Sequence, residues 1–425
     1  MSHGGLLPDP PPGWSKVPLW TITRRVEQRG RADAERLSVY RDLGVIRTAS
    51  RSDNFNKPGE DLDAYKFVEP GDLVLNKMKT WQGSLGVSEH AGIVSPAYFV
   101  CKIDPSVHPR YLHHLLRSHP YVAAYAALSK GIRPNQWDLP FDEFRKIDAL
   151  LPPLDEQRRI ADFLDAEMVR IKSLIELRQR QRVLLDERLA AFMTSTLGGL
   201  GEVSQHPQPT GLVWFPFIHP AWKLGPVHGY YEVQLGKMLN AERAAGPNPA
   251  PYLRNANVHW FETDLDDLAV MSFEPHERRR LRLQPGDLLV CEGGAGVAEA
   301  AIWDGQVQDC FYQKSLHRVR RRGSLPSEWL MYWLYIIKRL GYFEAQGNLA
   351  TIPHLTGEQL SAMRLPIPAG GAAARVAQIR ERVAHRRRVD QTLASSQVAL
   401  AERQQTVITA AVTGQLDVTT SRGEA

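Results

Sequence analysis

Residues 151–164 read LPPLDEQRRIADFL, and residues 365–379 read LPIPAGGAAARVAQI. Each opens on Leu-Pro and runs into a long segment with the pattern of a helix. From Asp155 to Leu197 there is neither Pro nor Gly, and Gly198-Gly199 close the run. Asp155 and Glu156 stand where a helix N-terminus favours negative charge, so the segment is read as one helix. Leu164, Met168, Ile171, Ile175, Leu185, Leu189 and Phe192 follow alternating steps of three and four, with Arg178 and Arg182 in the remaining slots. That is the 3.5-residue period of a coiled-coil seam. The second run, about 372–412 and closed by Gly414, offers Ile379, Val383, Leu393, Leu400 and Val407, with Arg386, Asp390, Gln397 and Gln404 in equivalent slots. At 1.5 Å per residue each helix spans about 60 Å. Neither is apolar all round, so the two are expected to pair. An approximate two-fold relation between the halves makes the pair antiparallel.

The recurrence extends well beyond these openings. Pro70-Gly71-Asp72-Leu73 returns as Pro285-Gly286-Asp287-Leu288, 215 residues on, and Leu185, Glu187 and Arg188 return as Leu400, Glu402 and Arg403 at the same offset. Gly131 and Gly347 each begin a short polar stretch ahead of the Leu-Pro step. The chain is therefore a tandem of two similar halves. In each, Pro-Gly-Asp supplies a turn before a strand, Leu73–Asn76 or Leu288–Cys291. Further strands are expected at Ile93–Ile103 and Leu316–Arg320. Aromatic helical segments follow at Arg110–Leu128 and Ser327–Leu340, then the polar loop, Leu-Pro and the long helix. The expected fold is α+β. Mixed domains at 1–150 and 201–366 are separated by spacer helices at 151–200 and 367–418, and 419–425 form a disordered tail.

Composition narrows the classes of function. A chain of 425 residues is too long for one comfortable core. Its longest strongly apolar stretch, Trp329–Ile337, is far short of the roughly 20 residues that cross a bilayer. The start, MSHGGLLPDPPPGW, has no basic segment followed by an apolar one, so no export signal is expected. Cys101, Cys291 and Cys310 lie far apart and read as small core residues of a protein in the reducing cytoplasm. The net charge of +5 permits a polyanionic partner without requiring one.

Catalytic signatures fail in context. No GxxxxGK[ST] occurs, and Gly236-Lys237 is followed by Met238. The glycine-rich Glu292–Ala300 (EGGAGVAEA) lacks the spacing of a dinucleotide loop and reads as a flexible loop. HExxH is absent, no lysine follows an acidic residue at two positions, and His113-His114 read as packed or exposed side chains rather than metal ligands. The chain is expected to perform no chemistry alone.

Sequence readout in DNA needs cations for phosphates and forked or amide side chains for base edges. Asn76–Gly86 (NKMKTWQGSLG) gathers Lys77, Lys79, Trp81, Gln82 and Ser84 just past a strand. Ser129–Trp137 (SKGIRPNQW) adds Lys130, Arg133, Asn135 and Gln136 in the polar loop. The second half offers Tyr312, Gln313, Lys314 and Ser315, and in its own polar loop Asn348, Thr351 and His354. The two sets differ in composition, as expected of two readers of different short sequences.

This layout resembles the specificity subunits of type I restriction–modification systems over nearly the whole chain. The resemblance rests on the tandem of mixed domain and helix, the boundary LPPLDEQRRIADFLD, its degenerate copy LPIPAGGAAARVAQIRERV, and the closing VITAAVTGQLDV. In the copy, Ala-rich sequence replaces the Glu-Gln pair. The resemblance implies two target-recognition domains reading the halves of a split, asymmetric double-stranded DNA site, with the paired helices setting the gap. It also implies docking of two modification subunits, which bind S-adenosylmethionine and methylate adenine, and room for a translocating restriction subunit. This chain itself would bind no cofactor and no metal. The rival expectation is a coiled-coil scaffold with two protein-binding globular ends.

Overall fold

The computed structural model describes residues 7–51, 61–131, 137–200, 206–238, 245–343 and 354–418. The expected tail at 419–425 lies outside them. The chain divides into two compact units, Met1–Gln179 with Leu393–Ala425, and Arg180–Thr392. Each is built from one half of the repeat and segments of both long helices.

In the first unit, β1 (Ser15–Pro18) is followed by α1 (Leu19–Ile22) and β2 (Thr23–Val26). The hairpin β3 (Leu37–Tyr40) and β4 (Gly44–Arg47) comes next, then β5 (Lys66–Val68), β6 (Leu73–Asn76), β7 (Leu85–Val87), β8 (Gly92–Val94) and β9 (Tyr98–Ile103). The expected single strand over 93–103 is two, because Pro96 has no N–H to give a ladder and lies between them. Helices α2 (Pro109–Arg117) and α3 (His119–Leu128) replace the single expected helix. Pro120 has no N–H to donate to Leu116 O, so a helix cannot run through it unbroken, and Ser118 is extended at φ −69°, ψ 154°. After α4 (Phe141–Phe144), β10 (Asp148–Leu151) pairs antiparallel with β1 and leads into α5 (Leu154–Gly198). The main sheet is antiparallel in the order β2-β9-β6-β7.

The second unit repeats this plan. A hairpin, β11 (Gln208–Leu212) and β12 (Phe215–Ile218), precedes β13 (Lys223–Pro226), β14 (Tyr231–Leu235) and β15 (Pro249–Leu253). The short pair β16 (Val258–His259) and β17 (Glu262–Thr263) comes next, then β18 (Ala269–Ser272), helix α6 (Pro275–Leu281), β19 (Leu288–Cys291), β20 (Ala300–Ile302), β21 (Phe311–Tyr312) and β22 (Leu316–Arg321). Helices α7 (Ser327–Arg339) and α8 (Gly357–Ala362) lead to β23 (Arg364–Ile367) and α9 (Ala372–Val412). The sheet order is β14-β22-β19-β20, the same as in the first unit, and β13 pairs with β23 as β1 does with β10.

The repeated Pro-Gly-Asp turn has a physical reason in both units. Gly71 and Gly286 sit at φ +93° and +90°, where a side chain is disfavoured. Asp72 and Asp287 are buried and accept a hydrogen bond from their own turn, Glu69 N–H and Gln284 N–H, each at 2.8 Å. Each also pairs with a cation on the central neighbouring strand: Lys102 on β9 at 2.8 Å, and Arg320 on β22 through two bonds of 2.6 and 2.7 Å. Burial of the carboxylate is thus compensated by both a backbone donor and a counter-charge.

The Leu-Pro strand is anchored by different aromatics in the two units. Tyr111 donates to Leu150 O at 2.7 Å and Tyr121 to Asp148 O at 2.9 Å. In the second unit Trp329 donates to Pro366 O at 2.9 Å and Trp333 to Arg364 O at 3.1 Å. The Glu-Gln pair belongs to the first arrangement only. Gln157 is buried, accepts from His108 N–H at 2.8 Å and donates to Pro152 O at 2.9 Å, while Glu156 accepts from Trp14 Nε1 at 3.2 Å. With no such partners, α9 starts after Gly370-Gly371 without the pair.

The two long helices pack together antiparallel within each unit. In the second, Arg182 grips Asp390 through two bonds of 2.6 and 3.1 Å, and Asp186 meets Arg386 at 2.8 Å. Numbering rises on one helix as it falls on the other. In the first, Glu167 meets Arg403 at 3.2 Å. The seam residues Leu164, Ile171, Leu189, Ile379 and Leu393 are buried, and Met168, Ile175, Leu185, Phe192, Val383, Leu400 and Val407 are half-buried. The helix ends are clasped by a second repeated motif, Pro-x-x-Trp and its copy His-Pro-Ala-Trp. Pro11 and Trp14 close on Gly414, and His219 and Trp222 on Gly199, so that a Cβ on Gly414 would lie 2.4 Å from Pro11 and 3.3 Å from Trp14, and one on Gly199 2.8 Å from both His219 and Trp222.

Candidate nucleic-acid interface

The first cluster lies on the loop between β6 and β7. Asn76 anchors it, donating from Nδ2 to the Tyr98 hydroxyl at 3.1 Å while its carbonyl accepts from Thr80 Oγ1 at 2.8 Å. A single turn of 3-10 helix, Thr80–Gln82, then ends on Gly83 at φ +89°. Lys77, Trp81 and Gln82 are half-buried, Lys79 is exposed, and Ser84 is buried.

The structure brings Lys130, the described member of the second cluster, close to this loop. Lys130 forms a two-hydrogen-bond bridge with Asp138 (3.0 and 2.9 Å), and Asp138 Oδ2 takes Lys77 Nζ at 3.2 Å. Trp137 packs against Trp81 with ring centroids 5.0 Å apart. Lys77, Lys79, Trp81, Gln82 and Lys130 thus share one patch, presenting two exposed lysines beside a pair of indoles. Arg133, Asn135 and Gln136 lie outside the described residues. Asp138 was no candidate in the sequence and Trp137 only closed the quoted stretch, since an acidic residue and a tryptophan carry no signal before their contacts with Lys77 and Trp81 are seen.

In the second unit Gln313, Lys314 and Ser315 form the turn between β21 and β22. Gln313 and Ser315 are half-buried, and Lys314 is exposed. Their backbones are tied to neighbouring segments: Gln313 N–H to Leu253 O at 2.9 Å, and Lys314 N–H to Lys237 O at 2.8 Å. The neighbour that matters is the β19–β20 loop, the glycine-rich segment read as a flexible loop. Glu292 N–H donates to Ser315 O at 2.9 Å, Asn255 Nδ2 donates to Gly293 O at 2.9 Å, and His354 bridges Gly293. Ser315, His354 and Asn255 therefore converge on this loop beside Glu292, while Gln313 reaches Ser315 at 3.5 Å. Asn348 and Thr351 lie outside the described residues.

The thiols of Cys101, Cys291 and Cys310 are buried, free, and pushed up by burial to about 12, which leaves them unreactive. Among the described residues no three His, Cys, Asp or Glu side chains are grouped to hold a metal ion, and no helix is long and apolar enough to cross a membrane.

No protein-family model matches the chain. In sequence, 313 residues are 24% identical to the type I restriction enzyme EcoKI specificity subunit of Escherichia coli (strain K12), covering 68% of this chain and 62% of that protein. In structure, a chain from a study of complex assembly and conformational transition in a type I R-M system superposes with a TM-score of 0.73, at 19% identity, over 96% of this chain and all of its own. The HsdS subunit of Thermoanaerobacter tengcongensis superposes with a TM-score of 0.55, at 19% identity, over 98% of this chain and all of its own. The chain has the HsdS fold. On that fold, the β6–β7 and β19–β20 loops sit at the same topological address, the hairpin leaving the third strand of each unit's main sheet, each met by the segment that precedes the Leu-Pro strand, whereas Gln313–Ser315 reach the second of them from the β21–β22 turn.

Proposed function

We propose that this chain is the non-catalytic DNA-specificity subunit of a cytoplasmic type I restriction–modification complex. Each unit reads one half of a split, asymmetric duplex site, and the paired helices set the gap between the halves. The observation that carries this reading is the repetition of one sheet scaffold with chemically unlike loops at the same address: lysines and indoles in the first unit, a carboxylate and glycines in the second. A scaffold repeated with divergent contact residues suits two different sequences recognised by one mode. The unlike loops differ in charge, so the modest net charge of the chain matches a complex in which partner subunits supply part of the phosphate-binding surface.

The partners in this reading are two methyltransferase subunits, which bring S-adenosylmethionine and the reacting atoms, and a translocating restriction subunit able to join them. Their docking is assigned to the helix pair and the two units. This chain contributes positioning alone. The test is methylation of a randomised duplex library by the complete complex, read by sequencing the methylated adenines. A two-part motif with a fixed gap is expected. Methylation without sequence preference, or within one unbroken short motif, refutes the reading.

A further inference from the structure

The first residue after the third-strand position differs in charge between the units. It is Lys77 after β6 and Glu292 after β19, at the same 215-residue offset as the turns that precede them. Each faces a polar side chain from the segment before the Leu-Pro strand. Lys77 meets Asp138 at 3.2 Å, and Glu292 Oε1 lies 3.8 Å from His354 Nδ1. One mechanical frame therefore carries a cationic donor in the first unit and an anionic acceptor in the second.

The setting of Glu292 is built rather than incidental. Its N–H is bound to Ser315 O, and its C=O accepts Leu355 N–H at 2.6 Å, so the backbone is fixed from both sides. Its side chain keeps 18% of its surface exposed. The residues beyond it, Gly293, Gly294 and Gly296, leave the loop almost bare. A Cβ on Gly294 meets nothing within 4 Å, and one on Gly296 meets only the side chain of Glu299. Internal packing thus does not demand the smallness of Gly294 or Gly296, although Gly294 has φ +79°. A loop without side chains allows another surface to approach its backbone closely.

A carboxylate gains nothing from phosphates, which repel it. On a duplex its favourable partners are the exocyclic amino groups in the major groove, N4 of cytosine and N6 of adenine, because an ionised carboxylate only accepts. We propose that Glu292 is a specificity-determining residue of the second unit, accepting a hydrogen bond from such an amino group while the bare glycine loop lets the base edge come near. Lys77, at the equivalent place, suits the opposite chemistry, the O6 and N7 acceptors of guanine. The inference rests on the specificity-subunit reading and names the chemistry of its second half-site.

The test uses the complete methylating complex with Glu292→Ala, which removes the acceptor, on the same randomised library. Discrimination is expected to fall about tenfold or more at one base of one half-site, with the other half-site and the gap unchanged. On the wild-type complex, deleting the amino group at that base (2-pyrimidinone for cytosine, or purine for adenine) is expected to cost a similar factor. The variant should be indifferent to the deletion, and the two base analogues show which base is read. An unchanged motif in the variant overturns the proposal. So does an even loss across all sequences with a lowered unfolding midpoint, which marks Glu292 as structural. If the variant fails to fold, the analogues still decide: tolerance of every amino deletion in both half-sites overturns it. A wild-type complex with no split motif instead removes the underlying reading.

Discussion

Asp72 and Asp287 show how one residue type is reused under the same constraint. Each is buried in a turn whose glycine needs a positive φ, and each is held by a backbone donor and a cation from the adjacent strand. Removing the carboxylate strands the cation and frees the turn's N–H. Asp287→Ala is therefore expected to cost about 3 kcal/mol of stability, seen as a lower urea midpoint. Asp287→Asn, which retains the hydrogen bond but not the charge, should cost less. The exposed lysines behave differently. For Lys79 and Lys314, change to Ala should leave the urea midpoint within about 0.5 kcal/mol. If each contacts a phosphate in the complex, the slope of log affinity against log salt falls by about one per lysine. An unaltered slope would place both outside the duplex contact.

The long helices show an element whose polar interruptions are matched. Arg182, Arg386 and Asp390 occupy slots of the apolar seam and, with Asp186, form ion pairs with one another. Hydrogen bonding to Arg182 holds the Asp390 carboxyl below its ordinary range. A depressed native pKa stabilises the fold above the unfolded value of about 3.9 and loses that contribution as pH falls through the native value. The helix pairing should therefore be insensitive to pH between about 5 and 8 and weaken below about 4. Asp390→Asn should remove about 1 kcal/mol at neutral pH together with part of this acid sensitivity, measured by thermal unfolding across pH. The helices were legible in sequence because a 3.5-residue period persists over dozens of residues. The breaks at Pro96 and Pro120 were equally written there but masked by the apolar runs around them. The clasp at Trp14 and Trp222 was hidden because its copies stand 208 residues apart while the surrounding repeat keeps 215.

For the whole molecule, tandem order was readable because glycine, proline and aspartate at turns resist substitution for backbone reasons. The candidate interface was only half readable. Lysines and amides near a strand end draw attention, whereas a glutamate and three glycines at the equivalent loop resemble ordinary surface until the matching sheet order is seen. Spacing is testable at this scale. Adding seven residues to each helix, one heptad, preserves the seam and lengthens the pair by about 10 Å, roughly three base pairs of duplex. The gap in the methylated motif should widen by about that number with both half-sites intact. A fixed gap would show that the helices do not measure it.

The clasps carry a consequence for each half taken alone. Pro11 and Trp14, from the opening half, shut on the terminus of the helix made by the closing half, and His219 and Trp222 do the converse. A lone half would hold a clasp with nothing to grip and a helix terminus with nothing gripping it. Two copies of such a half could each lend the other the missing terminus, in the manner of interlocked hands. The present chain contains both clasps and both helix ends, and so is the covalently joined equivalent of such a pair.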